Sequence, residues 1–236
     1  MIEEVLSYAE RGFRTCKIRL GTAWEWDGVE PGRFLALFEN AVDAVGGRIA
    51  IAVDANQRLD LATAVEVGRG LDRLGCAWFE EPIPQDDIDG YVRLAAELDL
   101  PVTGGEQFTT LARFRPYLER HAFDVVQPDA GWCGLTEALT IAEVAARHGV
   151  LATPHSWHNG AITLANAHLV ASLEERLPLE LSMVQGPLQA EILRDGLAVE
   201  DGRLLLNRPG LGIELAPELE ERFPYVDGDF ALEVER

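Results

Sequence analysis

Six acidic or ionisable residues recur along the chain at close to one strand–helix repeat. Asp54, Glu80, Glu106, Asp129, His155 and Glu180 are separated by 26, 26, 23, 26 and 25 residues. Each stands at or near the end of a short apolar run: IAVD, AWFE, VTGGE, VVQPD, LATPH and PLEL. Turns and helix-like stretches separate these runs. A parallel βα barrel accommodates this rhythm and brings the side chains at its C-terminal strand ends to one mouth. Six candidate ligands and bases would then meet in a single site, able to bind a metal and to move a proton.

The alternation runs from residue 1 to about 182. Helices are expected near 2–11, 32–45, 61–74, 88–98, 110–120, 135–148 and 161–172, with Asp60 as an N-cap. Strands are expected at 16–20, 49–54, 77–80, 101–106, 124–128, 150–154 and 178–182, and a loop carrying Trp24, Trp26 and Pro31 follows the first. The strands are short and mostly apolar without alternation, as in a parallel sheet buried on both faces. No polar linker divides them, so residues 1–182 read as one α/β domain, a parallel βα barrel with seven strands. A complete barrel has eight. The missing strand is expected at the N-terminus, because the chain opens with a helix. Residues 183–236 lose the alternation and read as a tail packing on the barrel, with a hairpin-like GRLLLNRPGLGIEL and a mobile acidic end.

A chain of 236 residues with 47% hydrophobic and 25% charged residues can bury a substantial core. Its formal charge of −20 argues against nucleic-acid or anionic-membrane partners. It leaves room for an anionic substrate, since a bound cation and a few basic residues can reverse the field inside a cleft. Of the 20 basic residues only Lys17 is a lysine, and it lies inside the apolar run CKIRLG. Cys16, Cys76 and Cys133 form no metal-binding spacing and suit a reducing cytoplasm. No apolar run approaches the length of a membrane span, and Met1 leads into an amphipathic segment without a signal-peptide pattern.

Asp54, Glu80 and Glu106 offer oxygen donors only, which suits a hard cation, Mg²⁺ or Mn²⁺. Any one of them alone could be a helix cap or a turn residue. Three in successive βα units, each ending an apolar strand, point to a shared site. The doubled carboxylate in FEEP leaves Glu80 or Glu81 as the ligand, because alternation along a strand sends only one inward. Asp129 and His155 end adjacent strands. A carboxylate bonded to one imidazole nitrogen fixes the tautomer and raises the basicity of the other, so the pair can serve as general base and then general acid. His158 reads as a substrate-loop or surface residue; His121, His148 and His168 lie on helices or helix ends and read as structural. Lys17 and Arg19 are two apart and share one strand face, expected to be the barrel interior beside the carboxylates.

Together the stretches KIRLG (17–21), VDANQ (53–57), WFEEP (78–82), GGEQ (104–107), QPDAGWCG (127–134) and PHSWHN (154–159) resemble the enolase superfamily. The likeness is in particular to its mandelate racemase subgroup, over roughly residues 2–215. The resemblance implies a barrel of the (β/α)7β type. It also implies that Asp54, Glu80 and Glu106 bind Mg²⁺, with Glu80 preferred over Glu81. Asp129 and His155 would form the acid/base dyad. Glu180 would bond the substrate carboxylate or the developing enolate, and Asn56 a substrate hydroxyl. The shared chemistry removes the proton α to a carboxylate.

Three departures refine the expectation. The family pattern Lys-x-Lys is here Lys17-x-Arg19. Arginine stays protonated, a poor base but a good carboxylate or hydroxyl clamp. This favours one-base chemistry through His155, the dehydration of a sugar acid to a 2-keto-3-deoxy acid. The Gly-Gly expected after the dyad aspartate is Gly134-Leu135. The family's N-terminal cap and first barrel strand are expected to be missing from these 236 residues. The alternatives are a racemase or epimerase working through Lys17 and His155, and an incomplete barrel that binds metal or a partner subunit without turnover. The expected partners are a small carboxylate substrate and further copies of the chain.

Overall fold

The computed structural model describes residues 2–20, 30–183, 186 and 191–225. The loop with Trp24 and Trp26, Gly21 of the KIRLG motif and the acidic end 226–236 lie outside the described residues. The chain opens with α1 (Ile2–Glu10), then β1 (Thr15–Arg19), α2 (Pro31–Val45), β2 (Ala50–Asp54), α3 (Leu61–Arg73) and β3 (Phe79–Glu80). It continues with α4 (Ile88–Glu97), β4 (Val102–Gly104), α5 (Leu111–Glu119), β5 (Val125–Val126), α6 (Ala130–Cys133), α7 (Leu135–Arg147), β6 (Leu151–Ala152) and α8 (Gly160–Ser172).

β1 to β6 form one parallel sheet in sequence order, so every connection is a crossover carrying a helix. Register places Arg19 beside Asp54, Asp54 beside Glu80, and Glu80 beside Thr103. The repeat in the sequence thus becomes a row of polar residues along one edge of the sheet. Beneath it Val53, Phe79, Val102 and Val126 are fully buried, and apolar burial of this kind supplies most of the driving force for the fold.

Local sequence sets the helix ends. Pro31 opens α2, and Gly46 closes it in the left-handed region, its N–H bonded to the Val42 carbonyl. The Asp60 carboxylate accepts from Thr63 N at 2.8 Å, as expected of an N-cap. The Asn159 side chain caps α8 through Ala161 N and Ile162 N. Strand β4 stops one residue before Gly105, whose φ of +92° turns the chain; a Cβ there would lie 2.6 Å from Phe114.

The expected seventh strand is corrected. Residues 178–182 carry no ladder among the described residues. Pro178 has no N–H to contribute. Polar side-chain contacts tie the segment to the end of β6 instead: Thr153 Oγ1 donates to Pro178 O at 3.0 Å, and Ser156 N donates to a Glu180 oxygen at 2.7 Å. In the tail, β7 (Val199–Glu200) and β8 (Arg203–Leu204) form an antiparallel hairpin. Its turn lies at 201–202, at the start of the expected stretch, and Leu193 bridges Leu215 further along.

Candidate active site

The strand ends gather two differently built groups. The first belongs to β1–β4. Lys17 is held between Glu80, in close contact, and Glu180 at 2.9 Å. Burial alone would pull the lysine pKa down; Glu80, Glu180 and Asp54 outweigh it and hold the ammonium well above its ordinary value. Trp78 Nε1 donates to the other Glu80 oxygen at 3.0 Å. Arg19 pairs with Asp54 at 3.3 Å and lies over the Trp157 ring, 5.1 Å from its centroid. Asp54 also accepts from Asn56 N at 2.8 Å, and Asn56 sits at φ +48°.

The doubled carboxylate separates into two environments. Glu80 meets Lys17. Glu81, at φ +40°, is held by Gln57 Nε2 at 3.0 Å and by Gln85 Nε2. Burial, reinforced by neighbouring carboxylates, pushes Glu80, Glu81 and Glu106 each up to about 7. This half therefore holds more buried negative charge than Lys17 and Arg19 neutralise.

The second group ends β5 and β6. Asp129 is fully buried. Its Oδ2 accepts from His155 Nδ1 and His158 Nε2, both at 2.7 Å. Its Oδ1 accepts from Gly131 N at 2.7 Å and Asn166 Nδ2 at 3.1 Å. Burial would raise its pKa; the bonds from His155, His158, Gly131 and Asn166 overcome that and hold it well below the usual carboxylate range. On His155, burial favours the neutral ring, but Asp129, then Glu106 and Glu180, push the imidazole up to about 9. With Nδ1 committed to Asp129, His155 Nε2 lies 3.7 Å from Glu106 Oε2, at the seam between the two groups.

Among the described residues, Asp129, His155 and His158 are the one trio of such ligand atoms within 4.8 Å of one another. Their 2.7 Å contacts are hydrogen bonds. The two imidazole nitrogens facing the carboxylate carry its protons and so have no lone pair for a cation. Asp54, Glu80 and Glu106 are less tightly gathered. They nevertheless form an oxygen-only set with uncompensated buried charge, which fits a hard divalent cation.

All ten expected site residues lie in the described part of the chain. Lys17, Arg19, Asp54, Glu80, Glu106, Asp129, His155 and Glu180 are linked by the contacts and charge coupling above. His158, read from sequence as a substrate-loop or surface residue, shares Asp129 with His155. Trp78, Asn166 and Trp157 are among the participants that were missed. Asn166 is fully buried in α8, and its only sequence signal is a lone amide in the apolar stretch TLANAHL. Trp157 left no periodic signal, because it belongs to the loop before α8.

A family model described as Enolase C-terminal domain-like matches residues 1–219. Arabinonate dehydratase of Saccharolobus solfataricus is 32% identical over 223 residues, covering 94% of this chain and 58% of that protein. D-galactarolactone cycloisomerase of Agrobacterium fabrum is 29% identical, with 90% and 57% covered. The crystal structure of L-talarate dehydratase from Polaromonas sp. JS666, complexed with Mg and L-glucarate, matches with a TM-score of 0.81 at 26% identity. That match covers 93% of this chain and 58% of the other. The chain thus spans less than two thirds of the length of each. The model match across most of the sequence, with a relative 32% identical over nearly all of it, shows that the chain belongs to the enolase superfamily, within its mandelate racemase family.

Proposed function

We propose that the chain forms the barrel part of a Mg²⁺-dependent acid-sugar dehydratase. The carrying observation is the geometry of His155. Its Nδ1–H is bonded to a buried carboxylate, and its Nε2 faces the carboxylate group at 3.7 Å from Glu106. In this reading Asp54, Glu80 and Glu106 hold the cation. Bound Mg²⁺ supplies fixed positive charge for a substrate carboxylate as negative charge develops on it.

With a cation at Glu106, one of the charges that holds the imidazole protonated would be offset, freeing His155 Nε2 to remove the proton α to that carboxylate, and Asp129 stabilises the imidazolium that forms. The imidazolium returns the proton to the leaving hydroxyl at the β carbon. The C–O bond breaks, water departs, and the resulting enol becomes a 2-keto-3-deoxy acid. Lys17, Arg19 and Glu180 orient the substrate, and Asn56 and His158 meet its hydroxyls. Lys17 is held as an ammonium between two carboxylates, so it serves as a cation and not as the second base that racemisation needs. The dehydratase and Mg-bound relatives support this reading.

Incubation of the chain with arabinonate or galactarate and Mg²⁺ in deuterated water tests it. A 2-keto-3-deoxy product is expected. Deuterated substrate without that product would replace dehydration with racemisation or epimerisation. No exchange at all would leave a barrel that binds metal or a partner without turnover. The reading includes a homo-oligomer, since β1 and β6 are edge strands among the described residues and unpaired edges favour association. Light scattering showing only monomer would exclude that assembly.

A further inference from the structure

We infer that Asn166 is a positioning residue that locks Asp129, the start of α6 and the His155 backbone into one unit. The inference rests on the reading of Asp129 and His155 as the acid/base pair. Asn166 projects from α8, a helix otherwise buried through Leu164, Ala165, Ala167 and Leu169. An amide fully buried in such a place is costly unless bonded. Here its bonds go to the dyad. Nδ2 donates to Asp129 Oδ1 at 3.1 Å and to His155 O at 3.0 Å, and Oδ1 accepts from Ala130 N at 2.9 Å.

The amide can face only one way. Rotated by half a turn, it would set its oxygen against a carboxylate and a carbonyl, and its NH₂ against an N–H. Both Nδ2 protons are used, one of them in a charge-assisted bond. With Gly131 N on the same oxygen, Asn166 fills the two acceptor sites of Asp129 Oδ1. Only Oδ2 then remains for the imidazoles. The side chain also ties the end of β5 to the end of β6 through groups that are 37 and 11 residues away in sequence. Nothing in the packing of α8 asks for an amide here; the dyad does.

Imidazole NMR on full-length chain with ¹⁵N-labelled histidine tests this without substrate. His155→Gln identifies the His155 signals. Wild type should show a low-field Nδ1 proton on His155, and its absence would overturn the inference. Asn166→Leu keeps the approximate shape while removing both donors and the acceptor for Ala130 N. Asn166→Ser is too short to span both partners. Each should fold and lose that low-field proton; a folded variant that keeps it unchanged overturns the inference. Should neither variant fold, the wild-type Asn166 amide decides. Two slowly exchanging Nδ2 protons are expected, and rapidly exchanging ones overturn the proposal. Where α-proton exchange is measurable, kcat should fall at least about tenfold with KM nearly unchanged, the mark of an interaction used beyond substrate binding. The NMR outcome stands apart from activity, so an inactive chain would overturn the proposed function and leave the test of Asn166 intact.

Discussion

The β1–β4 side of the mouth and the β5–β6 side solve opposite electrostatic problems. On the first, burial and mutual repulsion push Glu80 and Glu106 up to about 7. On the second, four donors hold Asp129 well below the carboxylate range. Both sides bury carboxylates in a low-dielectric setting; what differs is the supply of donors. Asp129 is complete within the protein. The carboxylate side is under-compensated, and in the proposed reading a cation from outside completes it. On that reading, the group that would keep its charge and aim through a proton transfer is built in, and the group that would receive metal and substrate is left with excess charge.

The sharpest way to break this comparison is to remove the imidazole. His155→Asn should lower α-proton exchange by about 10²–10⁴-fold, the range that general acid–base catalysis supplies. Calorimetry should show Mg²⁺ binding unchanged. Exchange that persists would move the base elsewhere, with Lys17 the first candidate. The reciprocal change is Glu106→Ala. Saturating Mg²⁺ should stabilise wild type by about 2.7 kcal/mol at a hundredfold excess over Kd. That gain should disappear in the variant, as read by thermal unfolding. Equal gains in the alanine variants of Asp54, Glu80 and Glu106 would remove the metal from this side.

The pH dependence of stability sharpens the comparison further. In metal-free chain, Glu80, Glu81 and Glu106 are raised from 4.5 to about 7, and His155 from 6.5 to about 9. Groups raised on folding contribute stability that is present below their unfolded values and lost as pH rises through their folded values. Asp129 and Glu180, which are lowered, act oppositely: their contribution is present above the unfolded carboxylate value and is lost in acid. Chelator-treated chain should therefore lose stability steadily from about pH 4.5 to about 9. Mg²⁺ should flatten that slope by letting the carboxylates ionise. The overall charge of −20 produces a slope of the same sign. High salt screens exposed charges far more than buried ones, so a metal-sensitive slope that vanishes in salt would assign the effect to the surface.

Much of this was legible in the sequence, for a physical reason. Strand ends recur at the βα period, so the repeat placed Asp54, Glu80, Glu106, Asp129 and His155 at or just after the ends of β2 to β6. Helix boundaries followed because Asp60, Pro31 and Gly46 act on their own neighbours. What was not legible depends on distant partners. The segment 178–182 looks like a strand, yet Pro178 and the polar contacts of Thr153 and Glu180 replace its ladder. The short helix α6 was missed because it is one turn capped by Asp129 itself. His158 and Asn166 reach Asp129 from 29 and 37 residues away, a separation with no periodic signature.

The smallest and most selective test adds a single methyl group. A Cβ on Gly131 would lie 2.9 Å from His158 Nε2, 3.0 Å from Ile162 Cγ2 and 3.1 Å from Asp129 Oδ1. Gly131 lies outside the left-handed region, so its backbone accepts alanine. The strain falls on the neighbours. His158 and Asp129 must give by a few tenths of an ångström, while Asp54, Glu80 and Glu106 are untouched. Misplacing a catalytic group by about 1 Å costs about a hundredfold. A shift of a few tenths should cost about tenfold in exchange rate and about 1 kcal/mol in stability, typical of mild overpacking. Mg²⁺ affinity should not change. Equal losses of exchange and metal affinity in Gly131→Ala would mean that the two sides of the mouth move as one body, and the division drawn between them would fail.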